Sequence, residues 1–150
     1  MTSSGRIEKK ILLQAPRTRV WRALTNAEEF GTWFGVKFEG TFAVGKSLTG
    51  NMTIKGYEHM TMEVTVEHMH AEDHFSYRWH PFAVDPKFDY SVEPTTLVEF
   101  RLEVSGEGTM LTVAETGFDK IPAGRRDEAF RMNERGWTSQ IENIKRYVAS

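Results

Sequence analysis

Glu115, Asn133 and Trp137 have the residue types, and the places in the hydrophobic pattern, to act together. Glu115 shares a strand face with Leu111 and Val113, so its carboxylate points toward apolar surroundings. There the ionised form is disfavoured, the pKa rises, and the group could serve as a general acid or base. Near the end of its strand it could instead reach solvent or cap the turn at Gly117. Asn133 and Trp137 lie one turn apart on the inward stripe of a long C-terminal helix. Asn133 is either a polar anchor for a ligand, with Trp137 as a wall, or an internal group bonded to nearby backbone or to Glu115. No second ionisable group shares the face of Glu115, so no catalytic residue is assigned and Glu115 stands as the weak candidate.

His68, His70 and His74 surround a turn that also holds Glu72 and Asp73. His68 and His70 share a strand face at i and i+2, a spacing that can chelate a metal. Turns also collect polar residues, and no further ligand is convincingly spaced, so no metal site is assigned and no cofactor is expected. His80 precedes Pro81 at the start of a long connection and reads as structural. That connection, 81–96, carries Phe82, Val84, Asp85, Pro86, Phe88, Asp89, Tyr90, Glu93 and Pro94. A loop of this length is either a lid or partner surface, or is simply packed down on the body. The sequence holds no glycine-rich phosphate loop, no Gly-x-Ser-x-Gly elbow and no basic stripe with interleaved aromatics.

Composition narrows the classes further. The 150 residues suit a single domain, 1–150, able to bury roughly 70% of its unfolded surface. A formal net charge of −2 argues against a nucleic-acid surface. With no cysteine, thiol nucleophiles, thiolate metal sites and disulfides are excluded. The start, Met1 to Arg6, has no apolar stretch after its charge, and nothing approaches the length of a membrane span. The expected location is cytoplasmic, with no membrane insertion. Ten Phe, seven Met, four Trp and four Tyr could fill a core or line an adaptable apolar pocket.

The elements that must position these residues follow from periodicity. Ile7 to Gln14 alternates as a strand, with Ile7, Lys9, Ile11 and Leu13 on one face. Pro16 suits the first turn of a helix through Leu24 that presents Val20, Trp21 and Leu24 on one side. Thr25 or Asn26 can cap a second helix, Ala27 to Phe34, which Gly35 ends. Alternation then runs from Val36 to Phe118. Its faces are Val36, Phe38, Gly40 and Phe42; Leu48, Gly50, Met52 and Ile54; Met60, Met62, Val64 and Val66; Phe75, Tyr77 and Trp79; Val98, Phe100, Leu102 and Val104; and Leu111, Val113 and Glu115. Seven short strands separated by turns imply one antiparallel sheet with a covered and a wet face.

The last helix, Pro122 to Ser150, carries the stripe Phe130, Asn133, Trp137, Ile141, Ile144 and Val148. An amide on that stripe and Gly136 in mid-helix both suggest a helix lying over something other than a tightly filled core, a cavity being one candidate. The predicted class is α+β, with the sheet curled around the final helix and the two short helices closing one end.

Several motifs carry a family resemblance across nearly the whole chain. They are Ala15-Pro16, Val20 to Thr25, Trp33, Tyr77-Arg78-Trp79-His80-Pro81, Glu93 to Phe100, Glu115-Thr116-Gly117-Phe118 and Asn133-Glu134-Arg135-Gly136-Trp137. In this order they resemble the helix-grip proteins of the START-like (SRPBCC) superfamily, which includes the birch-pollen-allergen fold. Within it the chain is similar to homologues of the activator of the 90-kDa heat-shock-protein ATPase. The resemblance implies a cavity between sheet and long helix, in a group whose members bind lipids, hormones or polyketides and in a few cases catalyse cyclisation or dehydration. The family's chaperone activators carry an additional N-terminal domain for which this length leaves no room, so chaperone stimulation is not expected.

The leading expectation is a protein holding a small apolar or amphipathic molecule. Its pocket would be bounded by Trp33, Phe38, Phe42, Met52, Met62, Val64, Tyr77, Trp79, Phe100, Phe130 and Trp137, with Glu115 and Asn133 as the polar contacts. The rivals are an enzyme of cyclase, dehydratase or isomerase type using Glu115, and a protein-interaction module, chaperone-linked or homodimeric, using the 81–96 loop.

Overall fold

Residues 5–81, 87 and 89–149 are described by the computed structural model. The alternating segments form one antiparallel sheet of seven strands: β1 (Ile7–Leu13), β2 (Val36–Phe38), β3 (Ser47–Met52), β4 (Thr61–His70), β5 (His74–Trp79), β6 (Thr96–Ser105) and β7 (Gly108–Thr116). Its spatial order is β1-β7-β6-β5-β4-β3-β2, so the first strand closes against the last. Two helices, α1 (Arg17–Thr25) and α2 (Ala27–Phe34), follow β1, and the long helix α3 (Ala123–Ala149) ends the chain. This is the helix-grip arrangement: a curved sheet around a long C-terminal helix, with two short helices after strand one.

Local chemistry sets the helix boundaries. Pro16 occupies the N-cap of α1, and the Asn26 side chain accepts from Glu29 N at 3.0 Å to cap α2. Gly35 ends α2 in the left-handed region at φ 100°, which a side chain would strain. Two elements are shorter than the alternation predicts. β2 stops at Phe38, because Gly40 at φ 107° turns the backbone out of the extended region. Phe42 therefore reaches the core from a loop and not from a strand, yet remains buried. β3 ends at Met52, and Ile54 instead lies over Gly35.

The inward faces supply the core, and the register places Glu115 within it. One row across the sheet reads Ile7, Glu115, Val98, Tyr77 and Val66. All five are buried, so a carboxylate stands in a line of otherwise apolar and aromatic residues. Lys9 shares the inward face of β1, but β1 is at the sheet edge, and the Lys9 ammonium lies 3.8 Å from the half-exposed Glu134 on α3.

Along α3 the buried residues are Ala129, Trp137, Ile144 and Val148, with Phe130, Asn133 and Ile141 half-buried beside them. Gly136 does not lie over a cavity. It is exposed, and a Cβ built on it would meet open space, so its presence carries no information about the interior. No helix among the described residues is long and apolar enough to cross a membrane.

Candidate functional site

Three elements aim donors at the Glu115 carboxylate. From β5 the Trp79 indole donates to Oε2 at 2.7 Å, and from the start of β6 the Thr96 hydroxyl donates to Oε2 at 2.5 Å. From α3 the Trp137 indole donates to Oε1 at 2.8 Å, and the Asn133 amide spans both oxygens at 3.0 and 3.1 Å. Of the two roles open to Asn133, the bond to Glu115 is present. The carboxylate does not reach solvent or cap the turn at Gly117; it is fully buried.

The electrostatics of this cluster are unusual. Burial pushes the Glu115 pKa up, and the four donors oppose that shift. Every partner is neutral, and no Lys, Arg or His among the described residues forms an ion pair with it. The two indoles and the amide nitrogen can only donate, so their geometry fits an ionised, acceptor-only carboxylate. A carboxylate offers about four lone-pair sites, and here each oxygen already receives at least two donors. It can take a proton from a substrate only by releasing one of these partners.

The Tyr77 hydroxyl stands in contrast. Among the described residues it is the buried side-chain polar atom with no hydrogen-bond partner. It belongs to the same sheet row as Glu115, two strands away. Burial first, and then the Glu115 charge, raise its pKa well above the usual phenol value, so it stays a neutral hydroxyl. Such a group retains one donor and two acceptor sites for another molecule.

Aromatic rings surround these polar atoms. Tyr77 meets Trp79 at 5.6 Å, Trp79 meets Trp137 at 6.0 Å, and Trp137 meets Phe100 at 5.8 Å between centroids. The chain of contacts continues through Phe75 to Phe42 and Phe38. Met62 and Val64 are buried on β4, while Met52 is half-buried on β3. Trp33 is buried, and its indole donates to Ala23 O at 2.8 Å, which ties α2 to α1. Phe130 packs edge-on against Phe118 at 5.2 Å, one turn of α3 before Asn133.

Sequence reasoning missed three contributors. Phe34 on α2 packs 6.0 Å from both Trp79 and Trp137. Thr96 continues the inward face of Val98 and Phe100 by one step, a signal that periodicity already contained. The third is a partly buried ion pair: Arg125 on α3 donates to both oxygens of Glu93 at 2.9–3.0 Å and to Pro81 O at 2.9 Å. It fastens both ends of the β5–β6 connection to the helix. Phe82, Val84, Asp85, Pro86 and Phe88 of that connection lie outside the described residues.

His74 Nε2 lies 3.0 Å from Glu99 Oε2, and the His68 ring packs 4.9 Å from that of His74. A register shift between Val66 and His68 interrupts β4. His80 Nε2 lies 3.0 Å from Glu93 O, within the base of the long connection.

Comparison with known proteins places this geometry. The family model for activator of Hsp90 ATPase homolog 1-like proteins matches residues 14–149. The fold is similar to DynU16, from the dynemicin biosynthetic locus, with a TM-score of 0.75 and 21% identity over 99% of this chain. The chain spans about half of DynU16, 48% of its length. MLL2253 from Mesorhizobium loti is similar at a TM-score of 0.75 and 22% identity, covering 96% of each chain. The Aha1 dimer from Colwellia psychrerythraea is similar at a TM-score of 0.68 and 15% identity, over 93% of this chain and 92% of that one. At these identities the likeness is one of fold. No curated protein matches the sequence.

Proposed function

The chain belongs to the activator of Hsp90 ATPase homolog 1-like family, and from that premise we propose that it binds a small, largely apolar molecule between the sheet and α3. The observation that carries this reading is the Tyr77 hydroxyl, buried among aromatic rings with no partner among the described residues. A native interior rarely leaves a polar atom unpaired, and a ligand is one of the groups that can complete it. Family and neighbours fit a ligand-binding fold of the SRPBCC type. The rings of Trp79, Phe100 and Trp137 supply apolar contact, worth about 25 cal/mol per Å2 removed from water. Tyr77 supplies the polar contact that fixes orientation.

Within this reading Glu115 positions the walls and does not handle substrate protons. Its saturated oxygens hold Trp79 and Trp137 in place. The experiment is a titration with a neutral naphthalene probe, followed by tryptophan emission and amide shifts. Binding should perturb Trp79, Trp137 and residues around Tyr77. If emission and shifts stay constant up to roughly millimolar probe, the reading fails.

A further inference from the structure

The ligand-binding reading leaves the chemistry of the ligand's polar end open, and three observations converge on it. Glu115 is fully buried, and among the described residues its donors are all neutral, so no cation there cancels its charge. The two indoles that donate to it, Trp79 and Trp137, join Phe34 and Phe100 in a connected aromatic wall. Aromatic faces attract cations through their quadrupole, tryptophan most strongly. The Tyr77 oxygen, in the same sheet row as Glu115, is buried with its acceptor sites open.

We propose that the ligand carries a protonated amine that donates to the Tyr77 oxygen and rests against this aromatic wall in the field of Glu115. The inference rests on the ligand-binding reading and refines it. An ammonium answers all three features at once. A neutral hydroxyl answers only the open hydrogen bond. A carboxylate or phosphate would place a second negative charge near an unneutralised one in a weakly screened interior. The expected order of affinity is therefore amine above alcohol above acid.

The test uses three probes of one chain length on the full chain: decylamine, decanol and decanoate, below their micellar concentrations and near neutral pH. Binding is followed by tryptophan emission and by calorimetry. Decylamine should bind at least about tenfold more tightly than decanol, a preference that corresponds to about 1.4 kcal/mol, and decanoate should bind least. Tyr77→Phe should remove most of the amine preference while decanol still binds. Glu115→Gln should do the same if circular dichroism shows it folded; otherwise the Tyr77 variant alone decides. Equal or tighter binding of decanol or decanoate overturns the inference and leaves the ligand-binding reading standing. An amine preference that survives unchanged in Tyr77→Phe also overturns it, since the amine then sits elsewhere. If none of the three binds, and neither does the naphthalene probe, the underlying reading falls with it.

Discussion

The Trp137 indole on α3 donates to Glu115 Oε1 on β7 at 2.8 Å, so a single carboxylate joins the final helix to the sheet. The other oxygen gathers Trp79 from β5 and Thr96 from β6. Three strands and the helix thus share one acceptor. Nonpolar packing alone could hold α3 over the sheet, but it would not fix the rotation of two indoles. The buried charge does so, at the cost of its own desolvation.

Removing that acceptor should be severe. Glu115→Ala leaves two indole N–H groups, a hydroxyl and an amide without their partner, and each orphaned donor costs about 1–3 kcal/mol. The loss in urea denaturation should be at least about 3 kcal/mol. Glu115→Gln keeps one acceptor oxygen and should lose less. A Glu115→Ala protein with wild-type stability would contradict the network.

The pH dependence carries opposite signs at two carboxylates. The Glu115 pKa is raised, by burial first, so the folded state holds its proton more tightly than the unfolded chain. Its contribution is then fullest below the unfolded pKa and falls as pH rises toward the raised folded value. For Glu29 burial acts upward, but bonds from Tyr147 and Arg19 and the charges of Arg22 and Arg19 leave its pKa lowered. Its contribution is present above the unfolded pKa and is lost as pH falls through the folded one. In melting curves across pH, Glu115→Gln should flatten the decline above the ordinary carboxylate range, and Glu29→Gln should flatten the acid-side loss.

The sequence made the fold legible where local chemistry decides it. Ala27–Phe34 follows from a capping asparagine, an aromatic stripe and a terminal glycine, all within ten residues. The Glu115 cluster was only half legible, because periodicity assigns a face but not a register. It placed Glu115, Asn133 and Trp137 inward, yet that four donors meet at one carboxylate depends on the pairing of β5, β6 and β7. Gly136 misled for the same reason: a helical pattern gives no sign that one turn beside a buried Trp faces solvent. The Arg125–Glu93 pair spans 32 residues and has no periodic signature at all.

That pair should anchor the base of the β5–β6 connection. Glu93 is 8% exposed, and Arg125→Ala would leave its carboxylate buried without a cation. Losing charge-assisted bonds to a largely buried carboxylate costs about 1.5–3 kcal/mol. Amide exchange should accelerate at residues 89–96. Arg125→Lys should rescue little, since an ammonium lacks the planar fork that reaches both Glu93 oxygens and Pro81 O. Full rescue by lysine would mean that charge alone suffices.

Tyr77 offers the sharpest separation of stability from binding. Its ring is enclosed by Phe30, Phe75, Trp79 and Phe100, and Tyr77→Phe preserves every one of these contacts. The substitution deletes only a buried hydroxyl that bonds to nothing among the described residues. An unsatisfied buried polar atom is destabilising, so Tyr77→Phe should raise stability by about 1 kcal/mol in urea denaturation. If the hydroxyl exists to meet a ligand, the same variant should bind that ligand about tenfold less tightly, the usual direction where a binding group is retained against stability. A variant that is both less stable and unchanged in binding would show that the hydroxyl has a structural partner, and the ligand reading would lose the observation that carries it.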